Sequence, residues 1–141
     1  MPKKYIERFN NFKKSLQALE RMRYRDDLTD EYTMSGAVQK FDLTFDISWK
    51  VMKDIIVNYH KISDYATGSP RETLRMAERT GIIDDDIWMH MLKDRNELTH
   101  DYDGSLAEEA VYRIRDDYLP VFEKFRDKAE WYMREMEKEA D

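Results

Sequence analysis

Nine consecutive residues, Asp94-Arg95-Asn96-Glu97-Leu98-Thr99-His100-Asp101-Tyr102, hold a permanent cation, an amide, an imidazole and a phenol. Arginine stays charged and offers a planar fork of donors that matches phosphate oxygens. Histidine is the side chain whose ordinary pKa lies near neutrality, so it can take and return a proton. Together they suffice to cleave RNA without a metal. A 2′-hydroxyl gives its proton to the base and attacks the adjacent phosphate, while the cation stabilises the charge that gathers there. The candidate catalytic residues are therefore Arg95, Asn96 and His100. Asn96 lies four residues before His100, on the same helical face, and is placed to orient the imidazole. Arg95 and His100 are five positions apart, about 140° around a regular helix. They converge only if the helix ends or distorts at Thr99, or if a second subunit completes the site. A structural reading stays open: Arg95 pairs with Asp94 or Glu97, and His100 satisfies a helix C-terminus, where the dipole favours a cation.

Other chemistry has weaker support. His90 lies four residues before Asp94, a two-ligand spacing with no further ligand nearby, so it reads as surface or structural. His60 sits at a loop entry. Asp84-Asp85-Asp86 can cap a helix start or gather a hard cation, and capping is the commoner role. No metal site is expected. There is no cysteine, which excludes a disulfide framework, a zinc ribbon and a thiol nucleophile and suits a reducing cytoplasm. Neither a Gly-rich phosphate loop nor a Gly-x-Ser-x-Gly elbow occurs, and no cofactor is expected.

The elements that must position Arg95 and His100 are helical. With 141 residues, 41% apolar and 38% charged, and only 4 Gly and 3 Pro, the chain reads as a single all-α domain. Tyr5, Phe9, Phe12, Leu16 and Leu19 form one stripe of a first helix over about 3–25. A second helix, about 32–59, carries Val38, Phe41, Phe45, Trp49, Met52, Ile56 and Tyr59 on one stripe. Leu43, Ile47, Val51 and Ile55 lie around its side. Two apolar sectors must both be buried, which favours a central helix or a symmetric dimer. Ser69-Pro70-Arg71-Glu72 starts a short third helix that Gly81 stops. A fourth opens at the Asp84–Asp86 run and ends near Thr99. Ser105 and Glu108 set a capping box for a long fifth helix, with a kink expected near Asp116–Leu119 because Pro120 removes a donor. Its charged end, 134–141, is expected to fray. The expected architecture is an antiparallel up-down four-helix bundle with a short extra helix, dimeric.

Net charge is −6, unevenly spread. Residues 1–25 carry net +6 and the remainder net −12. A basic helix on an acidic body is a footprint for phosphates, a handle for an acidic partner, or a solvated face. No signal peptide and no membrane-length apolar run are visible, so a soluble, cytoplasmic protein is expected.

Several blocks together resemble a known family. Gly36-Ala37-Val38-Gln39-Lys40-Phe41-Asp42-Leu43-Thr44-Phe45-Asp46-Ile47-Ser48-Trp49-Lys50 is followed by Ser69-Pro70-Arg71-Glu72, Gly81-Ile82-Ile83-Asp84, Trp88 and Asp94 to Tyr102. In this order, over about 34–122, they look like the nucleotidyltransferase substrate-binding proteins of the HEPN superfamily. The resemblance implies a dimeric helical bundle whose partner is a separately encoded minimal nucleotidyltransferase. Asp94, Thr99, Trp49 and Lys50 then contact ligand or partner. Related HepT-type proteins are ribonuclease toxins with an Arg-x-x-x-x-His-x-Tyr motif, kept here as Arg95, His100 and Tyr102. In those, the transferase silences the toxin by adding AMP to the motif tyrosine, here Tyr102. The sequence departs from the commoner family wording in placing Glu97-Leu98 between Asn96 and Thr99, an acid beside a phosphate site. The leading expectation is a non-catalytic or latent substrate-binding partner of the transferase, in a toxin–antitoxin-like module. The alternatives are the endoribonuclease itself and a structural helical dimer. RNA or a nucleotide is the expected ligand.

Overall fold

A computed structural model describes residues 3–64, 68–101 and 104–140, and every regular element among them is helical. Helix α1 spans Lys4–Glu20, α2 Glu31–Asn58, α3 Pro70–Arg79, α4 Ile87–Thr99, α5 Ala107–Arg113 and α6 Leu119–Ala140. The chain is an all-α bundle: α1, α2, α4 and the joined α5–α6 are its long members, and α3 is the short addition.

Neighbouring helices run in opposite directions. Arg8 near the start of α1 reaches Asp54 near the end of α2, at 2.7 Å, while Ser15 meets Thr44 at 2.6 Å. Against α4, α2 sets Phe45 beside Trp88 and Asp42 beside Arg95. The core is aromatic at its centre. Phe12, Phe41, Phe45 and Phe122 are fully buried, and Trp88 touches Phe45, Phe122 and Phe125 edge-on or tilted. Each such side chain contributes about 2–3 kcal/mol on burial.

Local sequence explains most element ends, and some differ from expectation. The first helix is α-helical only to Glu20; Arg21–Tyr24 tighten into a 3₁₀ turn that buries Met22 before the extended Arg25. Such a turn gives the last carbonyls nearer donors. Ser69 caps α3 by accepting from the Glu72 N–H at 3.3 Å, and Gly81 leaves that helix at φ +80°, where a side chain is strained. The Asp84–Asp86 run divides its work instead of capping as a unit. Asp85 Oδ1 accepts from the Ile87 N–H at 3.0 Å, whereas Asp84 pairs with Lys124 at 3.1 Å. At the next helix start, where a Ser105 box was expected, Asp101 does the capping. Its Oδ2 accepts from the N–H groups of Leu106 and Ala107 at 3.0 and 3.2 Å.

The kink expected before Pro120 is a π turn over Ile114–Tyr118, with Leu119 N–H bonded to Ile114 C=O. Widening the helix there accommodates the donor that proline lacks. Helix α6 stays regular to Ala140, and Tyr132, Met133 and Met136 remain buried on it. The side sector of α2 is split. Val51 and Ile55 are fully buried within the protomer, Ile47 is half-buried, and Leu43 is half-exposed at 50%. No helix among the described residues is long and apolar enough to cross a membrane.

Candidate functional site

The site lies on the last two turns of α4, where that helix crosses the middle of α2. Asp94 and Arg95 are successive residues, so they point about 100° apart. Arg95 faces α2. Its Nε donates to Asp42 Oδ1 at 2.9 Å, one terminal nitrogen lies 3.8 Å from Asp46 Oδ1, and the other is 3.5 Å from Asn96 Oδ1. Only the first of these is a short, well-formed bond. Asp42 therefore fixes the direction of the guanidinium, on a side chain that is 27% exposed.

Asp46 links this cation to two other candidates. Its Oδ1 accepts from Trp49 Nε1 at 3.2 Å, and its Oδ2 accepts from Lys50 Nζ at 2.9 Å. The Lys50 ammonium lies 5.8 Å from the centre of the Trp49 ring. Arg95, Asn96, Trp49 and Lys50 thus belong to one polar cluster around Asp42 and Asp46. The two acids are the members that sequence reasoning missed. Their spacing, four residues apart on the flank of α2 beside the Phe41–Phe45 stripe, was the available signal.

Asp94 faces the other way. Arg113 grips its two oxygens with Nε and a terminal nitrogen at 2.9 and 3.0 Å, and the Tyr118 hydroxyl makes a short bond to it. Burial, reinforced by that carboxylate, pushes the Tyr118 phenol above its usual range. The Tyr118 ring stacks on Phe41 at 5.5 Å. Asp94 thereby locks α4 to the π turn, and its carboxylate is committed to partners inside the protein. The expected local pairings of Arg95 with Asp94 or Glu97 give way to these longer-range ones.

At the end of α4, the Thr99 hydroxyl donates back to the Arg95 carbonyl at 2.9 Å. His100 leaves helical geometry at φ −106° and ψ 15°, and its N–H still reaches the Glu97 carbonyl at 3.1 Å. The helix thus ends at Thr99, as convergence of Arg95 and His100 requires. The imidazole is exposed and has no side-chain partner among the described residues. Asn96 lies beside Arg95 instead of holding His100. Tyr102 lies outside the described residues. His90 lies on an open groove with Asp94, Arg113 and Tyr118, whereas His60 packs edge-on against Tyr59 and Tyr132. Burial lowers the His60 pKa.

Comparison with known proteins gives three likenesses. A family model described as nucleotidyltransferase substrate binding protein like matches residues 7–130. A Haemophilus influenzae protein named "Probable ribonuclease HepT" is 33% identical over 97 residues, which is 65% of this chain and 64% of that protein's length. The match therefore spans just under two thirds of the relative. A crystal structure of a Thermus thermophilus protein superposes with a TM-score of 0.69 at 22% identity, over 87% of this chain and 98% of the other. That last likeness concerns the fold.

Proposed function

This chain belongs to the nucleotidyltransferase substrate binding protein like family, of HEPN and HepT-like kind, and from that premise we propose that it is a metal-independent endoribonuclease acting beside a nucleotidyltransferase. The observation that carries the reading is the state of Arg95 and His100. One is a partly exposed cation aimed by a single strong bond, and the other is an exposed imidazole without a side-chain partner among the described residues, at the helix end.

In this mechanism His100 removes the proton from a 2′-hydroxyl. The O2′ attacks the adjacent phosphorus, and the 5′-oxygen departs and takes up a proton. The products are a 2′,3′-cyclic phosphate and a 5′-hydroxyl end. Arg95 lies where its terminal nitrogens can bind the equatorial oxygens as charge gathers on them. Asn96 limits the swing of the guanidinium, while Trp49 and Lys50 hold Asp46 behind it. A second copy, docked against the outer face of α2 at Leu43, brings a second His100 toward Arg95. Tyr102, two residues beyond His100, is the acceptor to which the partner transferase adds AMP. The name of the Haemophilus relative supports the nuclease reading. The family description supports a second one, in which the same residues bind ligand or transferase without cutting.

The test is purified protein with single-stranded RNA in EDTA. Cleavage leaving cyclic phosphate ends, lost in His100→Ala and on a substrate with a 2′-deoxy scissile nucleotide, supports the proposal. Intact RNA with wild-type protein, alongside a stable complex with the transferase, sinks it in favour of the binding reading.

A further inference from the structure

The basic end of the molecule has no role in that mechanism, yet it carries a groove. The groove lies between the end of α1 and the first turns of α2, with a volume of about 420 Å³, and among its walls are Arg21, Arg25, Tyr32, Gly36 and Lys40. The three cations are exposed and none has an ion pair or side-chain hydrogen bond among the described residues. That sets them apart from Arg8, Arg23, Arg113, Arg115 and Arg126, each of which meets a carboxylate. Asp30, the acid of the groove, turns its Oδ2 onto the N–H and hydroxyl of Thr33 at 3.0 and 3.1 Å. Tyr32 is 87% exposed. An aromatic face that open, beside unpaired cations, suits a stacked base and its flanking phosphates.

Gly36 adds an independent observation. It sits inside α2, where glycine weakens a helix, and a Cβ built there meets nothing within 4 Å. Packing within the protomer therefore does not require it. It leaves a bare stretch of backbone as the groove floor, between cationic walls. Lys40 at the groove is two residues from Asp42, which holds Arg95, so one segment of α2 serves both places on opposite flanks.

We infer that this groove binds single-stranded RNA, stacking a base on Tyr32 and holding phosphates with Arg21, Arg25 and Lys40, and so leads the strand around α2 toward Arg95. The inference deepens the nuclease reading and rests on it. RNA is favoured over an acidic protein surface because a strand offers a base to the exposed ring and flanking phosphates to the three unpaired cations together.

The probe is a fluorescent 2′-O-methyl RNA twelve-mer, which binds but cannot be cut. The triple variant Arg21→Ala, Arg25→Ala, Lys40→Ala weakens binding by tenfold or more. It also flattens the slope of log affinity against log salt by about 2, at roughly 0.7 per phosphate contact on a single strand. Tyr32→Ala weakens binding by about tenfold with little change in slope. Gly36→Glu, which improves helix propensity and whose Cβ meets no atom within 4 Å, also weakens it, whereas Gly36→Gln has the smaller effect. Cleavage of a dinucleotide, too short to span both places, stays at the wild-type rate in every groove variant.

Unchanged twelve-mer affinity in these variants overturns the inference, even with RNA still cut. Groove-dependent binding of poly-glutamate without groove-dependent RNA binding overturns it too and assigns the surface to an acidic protein. Groove-dependent RNA binding by a wild-type protein that never cuts removes the nuclease reading and leaves the groove.

Discussion

Two arginines meet carboxylates at helix α4, Arg113 at Asp94 and Arg95 at Asp42, in contrasting surroundings. The first pair is a two-bond fork at 2.9 and 3.0 Å, joined by the Tyr118 hydroxyl, around a carboxylate whose side chain is only 12% exposed. The second is one bond of 2.9 Å to a carboxylate that is 53% exposed. Geometry of the first kind fixes a helix, because a nearly buried carboxylate is stable only with its lone pairs occupied. The second kind orients a cation through one short bond and leaves its terminal nitrogens only loosely held, at 3.5 and 3.8 Å from their neighbours. Adjacent residues of one helix thus divide the labour, Asp94 holding α4 in place through a nearly buried carboxylate and Arg95 meeting a half-exposed one.

The sharpest way to break that comparison is Arg95→Ala. Loss of a charge-stabilising donor slows RNA cleavage by about 10²–10³-fold. Because its partner Asp42 is half-exposed, urea unfolding shifts by less than about 1 kcal/mol. A large stability loss with preserved cleavage would reverse the assignment. Asp94→Ala behaves oppositely. It strands Arg113 and Tyr118 and lowers unfolding free energy by about 2 kcal/mol, read from the urea midpoint.

A smaller effect separates the members of the clamp. Tyr118→Phe costs about 1 kcal/mol at neutral pH. The Tyr118 phenol is raised above its ordinary 10.0 in the folded protein. Its contribution is therefore whole below that value and is lost as pH rises, because the unfolded chain ionises first. Wild-type stability falls above about pH 10, and the Phe variant shows a shallower fall in the same titration. The mildest change is Asp42→Asn. It leaves stability within about 0.5 kcal/mol and, by removing a competing anion, raises affinity for the uncleavable RNA.

The periodic part of the structure was legible because helices declare themselves locally. The Phe41–Phe45–Trp49 stripe, the Ser69–Pro70 start, the Gly81 stop and the disturbance ahead of Pro120 each depend on residues within a turn or two of each other. The pairing of Arg95 was not legible in the same way. Asp94 and Glu97 were nearer in sequence, but its partner Asp42 lies 53 positions away, on a helix whose rotation is set by the aromatic core. Asn96 was misplaced for a related reason: four-residue spacing puts side chains on one face only while the helix lasts, and His100 is already leaving it. For the caps of α4 and α5, several acids and a serine competed within a few residues. Which of them reached the free N–H groups was decided by the path of the loop.

The π turn at Ile114–Tyr118 stores one residue more than the packing of the last helix needs. Arg113 and Tyr118 are five positions apart and would diverge on a regular helix, yet both reach Asp94 because the wider turn absorbs one residue. Deleting any one of Arg115, Asp116 or Asp117 restores an ordinary helix by propensity alone. Because that turn already holds one residue more than a regular helix, everything after it keeps its direction, and Phe122 and Phe125 stay in register with Phe12 and Trp88. Among sequences of this shape, a one-residue gap at that place marks a chain whose last helix packs alike but runs on without the wide turn.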